Sequence, residues 1–196
     1  MTTLLIGILF AYCIGSLSSA VIICRLMRLP DPRATGSHNP GATNVLRIGG
    51  KKAALFTLIC DVLKGLVPVL IARGVGLPQA ALGYIALAAF LGHLYPVFFG
   101  FKGGKGVATG IGGLFALNAM IGLLALITWL IVVAIFRYSS LGAIVAAILI
   151  PVYNIFLGNI HNELALLIML LFLLWRHRGN LQRLREGTES KVGRKK

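Results

Sequence analysis

Two lysines set among glycines, in Phe-Lys-Gly-Gly-Lys-Gly-Val-Ala-Thr-Gly at 101–110, are suited to holding an anion. Glycines such as Gly103, Gly104 and Gly106 let backbone N–H groups approach an oxyanion closely, and a helix starting near Val107 would add its positive end. Lys105 supplies a point charge and Thr109 a hydroxyl. The run is not a Walker A loop, because Gly106 stands where that motif needs Ser or Thr. The plainer alternative is a flexible turn whose lysines serve only membrane topology.

Three more polar stretches could join it. Residues 36–47, Gly-Ser-His-Asn-Pro-Gly-Ala-Thr-Asn-Val-Leu-Arg, have turn-forming Gly36, Pro40 and Gly41. They offer Ser37, Asn39, Thr43 and Asn44 as polar groups and Arg47 as a bidentate fork for phosphate; the other reading is a loop whose Asn and Thr cap the next helix. Arg-Tyr-Ser-Ser-Leu-Gly at 137–142 contains Ser139 and Ser140, which can contact a ligand or cap a helix. In the tail, His177, Asn180 and Leu184 fall at i, i+3 and i+7, one helical face. Taken alone, that tail reads as an interfacial anchor. Together, Arg47, Lys102, Lys105 and His177 suit one or two phosphate groups. The free acids on that side, Asp31, Glu186 and Glu189, make no metal-binding pair, so no metal is expected.

The elements that must carry these groups are membrane helices. Of 196 residues, 58% are hydrophobic and 12% charged, against roughly 25% charged in a soluble domain; mean hydropathy is +0.90. Several stretches exceed the ~18 apolar residues that mark a span, and the alternating ten-residue pattern of a β-barrel is missing. The net charge of +14 would suggest nucleic acid in a soluble protein, but here the positives lie between apolar spans, as the positive-inside rule requires. Cys13, Cys24 and Cys60 lie in or beside apolar runs and read as packing residues. The apolar N-terminus, with no preceding Lys or Arg, reads as a retained first span.

Spans are expected at about 4–24, 53–72, 80–99, 141–157 and 163–175, with a basic loop at 25–52 and a basic tail at 176–196. The apolar stretch 107–136 is longer than one crossing. Splitting it near Asn118 keeps Arg137 and the tail on one side of the membrane. This gives an all-α protein of seven spans forming a single domain, N-terminus outside and C-terminus in the cytoplasm, with all four polar segments on the cytoplasmic face. Inside the membrane, Asp61 and Lys64 stand at i and i+3 and can neutralise each other; intramembrane charges are functional by default, and a structural pair is equally open. His93, ahead of the glycine loop, could line its pocket.

These motifs resemble the bacterial acyl-phosphate:glycerol-3-phosphate acyltransferases. The resemblance spans essentially the whole chain. It rests on 36–47, on Gly-His-Leu-Tyr-Pro-Val-Phe-Phe-Gly-Phe-Lys-Gly-Gly-Lys-Gly-Val-Ala-Thr at 92–109, on 137–142, and on the tail pattern of His177, Asn180, Arg183, Leu184, Gly187 and Glu189. Family members often carry Gly where His38 stands, so no role passes to His38. The resemblance implies transfer of a fatty acyl group from acyl phosphate to glycerol 3-phosphate, giving lysophosphatidic acid and phosphate in the bacterial inner membrane. It implies no cofactor, and a peripheral phosphate acyltransferase as the partner that makes the donor.

On that reading Ser37, Arg47, Lys105, His177 and Asn180 are the catalytic candidates. Asn39, Gly41, Asn44, Gly103, Gly104, Gly106, Thr109 and Ser140 are binding candidates, and Glu189 braces the tail by pairing with an Arg. No His has an Asp five positions on, which sets the chain apart from the His-x4-Asp acyltransferases. An acyl phosphate carries a good leaving group, so positioning and charge stabilisation can supply most of the catalysis. The rival reading, a transporter of a phosphorylated metabolite, expects polar groups at mid-membrane and on both faces; here they crowd one face.

Overall fold

The computed structural model describes residues 1–157 and 160–193. Apolar runs with no water to satisfy their backbone must fold as helices, and the described residues contain helices and no strands. α1 (Thr2–Gly15) and α2 (Ser19–Leu26) make one apolar span broken at residues 16–18. The break frees the carbonyl of Leu17, and Lys64 Nζ donates to it at 2.8 Å. Asp61 Oδ1 lies 2.8 Å from the same ammonium, so the expected i, i+3 pair is present.

α3 (Ala42–Gly74) begins well before the expected 53, so Arg47, Lys51 and Lys52 are helical rather than in a loop. Gly50, at φ 76°, divides it into a short front piece and a membrane piece. α4 (Gln79–Leu94) is followed by a 3-10 turn, Val97–Phe99, and then the glycine loop. The long apolar stretch does break at Asn118, into α5 (Val107–Leu117) and α6 (Ala119–Phe136). Asn118 is extended, and its Oδ1 accepts from the N–H groups of Met120 and Ile121, capping α6. α7 (Ser139–Phe156), α8 (Glu163–Arg176) and α9 (Arg178–Arg185) complete the chain, with a 55° bend between the last two.

Among the described residues, five helices are long and apolar enough to cross a membrane, or six with the bent pair α8/α9. The expected count of seven includes α5, whose 11 residues rise only ~16 Å against a hydrocarbon core of ~30 Å. α5 lies in the interior of the bundle. It packs against α3, α4 and α6, in a core that includes Leu82, Ile85, Phe90, Leu94, Leu114 and Ile121.

α3 and α5 approach to backbone contact. A Cβ on Gly65 would overlap the carbonyl of Thr109, and one on Gly112 the carbonyl of Val62. Small residues at such crossings let helices associate where lipid supplies no hydrophobic drive. Gly65→Leu or Gly112→Leu should therefore separate the pair and cost about 3 kcal/mol or more. Thermal denaturation in detergent should show the loss, with Gly74→Ala, where added atoms meet nothing within 4 Å, as the near-neutral control.

Candidate active site

Contacts tie the four polar segments together. Arg176, the last residue of α8, donates from Nε to Gly104 O at 3.0 Å and from Nη2 to Gly103 O at 2.6 Å. Lys105 Nζ donates to Asn180 Oδ1. Asn180 Nδ2 and Ser140 Oγ both donate to Glu189 Oε1, at 2.6 and 2.7 Å, and Arg183 Nε donates to Glu189 Oε2 at 2.7 Å. Ser139 Oγ lies 3.5 Å from Thr43 Oγ1.

Ser37, His38, Asn39, Lys105, Arg176 and Asn180 are among the residues lining a polar basin. The loop geometry behind it demands glycine. Gly106, at φ 85°, is the N-cap of α5, and a Cβ there would strike the Phe90 ring. The first N–H groups of a helix lack helical acceptors, so α5 presents donors beside Lys105.

Burial, reinforced by the charges of Arg183, Arg176 and Arg47 and opposed by Glu189, pushes the Lys105 ammonium down to about 8. Its charge is present below that pH and lost as pH rises through it. His177 is 2% exposed, and burial followed by the Lys105 charge pushes its imidazole down to about 4. It is therefore neutral at physiological pH. Its Nδ1 lies 2.9 Å from Leu173 O, and a carbonyl only accepts, so Nδ1 carries the hydrogen and Nε2 keeps its lone pair. Burial would raise the Glu189 carboxyl, but hydrogen bonds from Ser140, Asn180 and Arg183 outweigh it and hold the group below the usual range.

Several expected site residues take supporting places. Asn44 is 1% exposed. Its Oδ1 accepts from Ser37 N at 2.9 Å, and its Nδ2 donates to the carbonyls of Pro32 and Thr35. It shapes the 36–47 loop. Thr109 is buried against α3 with an unpartnered hydroxyl. Gly41 is the N-cap of α3, which has no side-chain cap, so neither Asn39 nor Thr43 fills that role; likewise Ser139 and Ser140 do not cap α7. His93 lies behind the loop. Arg47 is exposed, and neither it nor buried His177 is among the residues lining the basin. His38 adopts φ 57°, a conformation glycine takes freely. Asp31 is paired with Arg33 at 2.7 Å, and no group of three potential metal ligands occurs among the described residues.

Arg183 is the Arg that pairs with Glu189, whereas Arg176 joins the site unannounced, because a basic residue at the end of a span reads as a topology signal. The clue was the position of Arg176 directly before His177.

Beside the basin lies a narrow apolar slot of about 40 Å³ between α4, α5, α6, α7 and α8. It is lined by Phe90, Gly106, Leu114, Trp129, Ile150 and Leu173 among others. The two cavities adjoin at consecutive residues, Lys105 in the basin and Gly106 in the slot.

Glu189, its side chain 8% exposed, gathers three donors. Glu189→Ala should strand them, at about 3 kcal/mol. A lower denaturation midpoint and faster proteolysis of the tail would report it.

Residues 5–187 match the family model for glycerol-3-phosphate acyltransferase. A glycerol-3-phosphate acyltransferase of Burkholderia lata is 55% identical, the match covering 98% of this chain and 92% of that protein. One from Burkholderia multivorans is 54% identical over the same shares. The crystal structure of PlsY (YgiH), an integral membrane glycerol 3-phosphate acyltransferase in its glycerol 3-phosphate form, superimposes with a TM-score of 0.92 at 39% identity, covering 97% of this chain and 96% of that one. Its lysophosphatidic acid form gives a TM-score of 0.89 at 38% identity, covering 97% and 95%. The chain is a multi-pass membrane protein that belongs to the glycerol-3-phosphate acyltransferase family.

Proposed function

We propose that the protein transfers a fatty acyl group from acyl phosphate to the hydroxyl of glycerol 3-phosphate, forming 1-acyl-glycerol 3-phosphate and releasing phosphate. The observation that carries this reading is the junction of the two cavities at Lys105 and Gly106. A fatty acyl phosphate has one apolar part and one anionic part, and the slot and the basin match them in order.

The acceptor oxygen attacks the acyl carbonyl carbon, and the bond from that carbon to the phosphate oxygen breaks. Phosphate leaves with the electron pair. Lys105 and Arg47 neutralise it, and the N–H groups at the start of α5 with Ser37 hold its oxygens. Asn180 orients Lys105 through Oδ1 and has one N–H left for substrate. The hydroxyl proton goes to His177 Nε2 or to the phosphate itself. Both routes leave His177 neutral before attack, as its low basicity requires.

The basin faces the cytoplasm of a bacterium on this reading, with the N-terminus outside, because the polar segments carry most of the positive charge. Seven crossings follow if α5 is one. Lys105 precedes it at the basin, and the carbonyl of Leu117 at its other end accepts from Arg73 Nη2 at 3.0 Å and Gln79 Nε2 at 3.3 Å, in the opposite link. The partner suited to this donor is a peripheral phosphate acyltransferase, which would deliver acyl phosphate at the same membrane face.

Purified protein given palmitoyl phosphate should release phosphate only when glycerol 3-phosphate is added, with lysophosphatidic acid formed in equal amount. Arg47→Ala should lower kcat/KM at least tenfold in folded protein; wild-type kinetics would remove Arg47 from the site. Uptake of glycerol 3-phosphate into vesicles without any turnover would point to a transporter instead.

The pH profile tests the two buried bases. Since kcat/KM follows the free enzyme, it should fall as pH rises through about 8, where Lys105 loses its charge. Lys105→Arg should move that limb to higher pH. No break from His177 is expected between pH 5 and 8, because it loses its proton near 4.

A further inference from the structure

Behind the glycine loop, buried polar side chains from α3 and α4 form a cluster that the proposed chemistry does not use. Gly104 N donates to His93 O at 3.1 Å. A Cβ on Gly104 would overlap His93 Nε2, and one on Gly103 would overlap His93 O. The imidazole is thus the surface on which the loop rests. Its other nitrogen, Nδ1, lies 3.5 Å from Asp61 Oδ1. Asp61 is in turn 2.8 Å from Lys64 Nζ, which is hydrogen-bonded to Leu17 O at 2.8 Å. All three side chains are at most 7% exposed.

A neutral Asp61–Lys64 pair alone would need no third member. Truncated, the same two positions could be apolar, and a buried ion pair is often replaceable by apolar groups without loss of stability. What the pair adds is an orientation for the ring. The carboxylate faces Nδ1 across a gap longer than a hydrogen bond, an electrostatic contact that favours the tautomer with hydrogen there. The opposite edge then meets Gly104, the residue before Lys105.

We infer that Asp61, held by Lys64, acts through His93 as a positioning device for the Gly103–Gly104–Lys105 loop, setting where the Lys105 ammonium meets the substrate phosphate. Arg176 holds the loop carbonyls from the side, and His93 supports it from beneath. Asp61 and His93 are positioning residues, since their contacts are with the loop and with each other.

The inference rests on Lys105 being a site group, so Lys105→Ala is the control. Purified full-length variants are assayed with palmitoyl phosphate and glycerol 3-phosphate, alongside thermal denaturation. Asp61→Asn combined with Lys64→Met keeps the buried site neutral and so isolates positioning from charge burial. Its expected result is a tenfold or greater fall in kcat at a denaturation midpoint near wild type. His93→Gln, which can still donate towards Asp61, should keep most of the rate that His93→Leu loses, a rescue that mere filling of space would not produce. Wild-type kcat in the double variant, or equal rates for His93→Gln and His93→Leu, would overturn the inference while an inactive Lys105→Ala leaves the site intact. An active Lys105→Ala would overturn both.

Discussion

A bare loop at a membrane surface holds its shape only if its carbonyls are satisfied, and here one guanidinium does this. Arg176 takes the oxygens of Gly103 and Gly104 together. Its planar fork fits two adjacent acceptors as a lysine could not. With those carbonyls engaged, the loop can leave its donors and Lys105 for an anion. Because Arg176 closes α8 and His177 follows it directly, the same residue sets the distance between the glycine loop and the tail.

The balance of charge at the site has one centre. Glu189 is the acid that Ser140, Asn180 and Arg183 share, and through Asn180 it reaches Lys105. A single carboxylate organises several cations without cancelling them. The surplus suits substrates that both carry phosphate. Beyond Gly106 the lining turns apolar, in the slot.

Much of this was legible in residue types. Helices, the Asp61–Lys64 pair and the glycine-rich turn follow from strong local signals: apolar runs, i, i+3 spacing, clustered Gly; the break near Asn118 follows from the need to keep Arg137 and the tail on one side of the membrane. Other features depend on contacts distant in sequence. Asn44 looked like a ligand because its amide is polar and the loop is short; its partners, Pro32, Thr35 and Ser37, emerge only when the loop closes on the helix. Arg176 was indistinguishable from a topology charge until Gly103 and Gly104 lay beside it. α3 starts ahead of its apolar run because Arg47, Lys51 and Lys52 break the apolar pattern without breaking the helix. His38 signals its left-handed backbone only by standing where glycine is common.

The shortness of α5 has a consequence for the bilayer. Seven of its 11 residues are buried among neighbouring helices, so its length scarcely meets lipid and incurs little hydrophobic mismatch. Longer helices such as α6, with three of its 18 residues buried, meet the hydrocarbon instead. The glycine loop is attached to the short inner helix. Its depth is set by protein packing, and membranes of different thickness can stretch or tilt the outer helices without moving the glycine loop up or down.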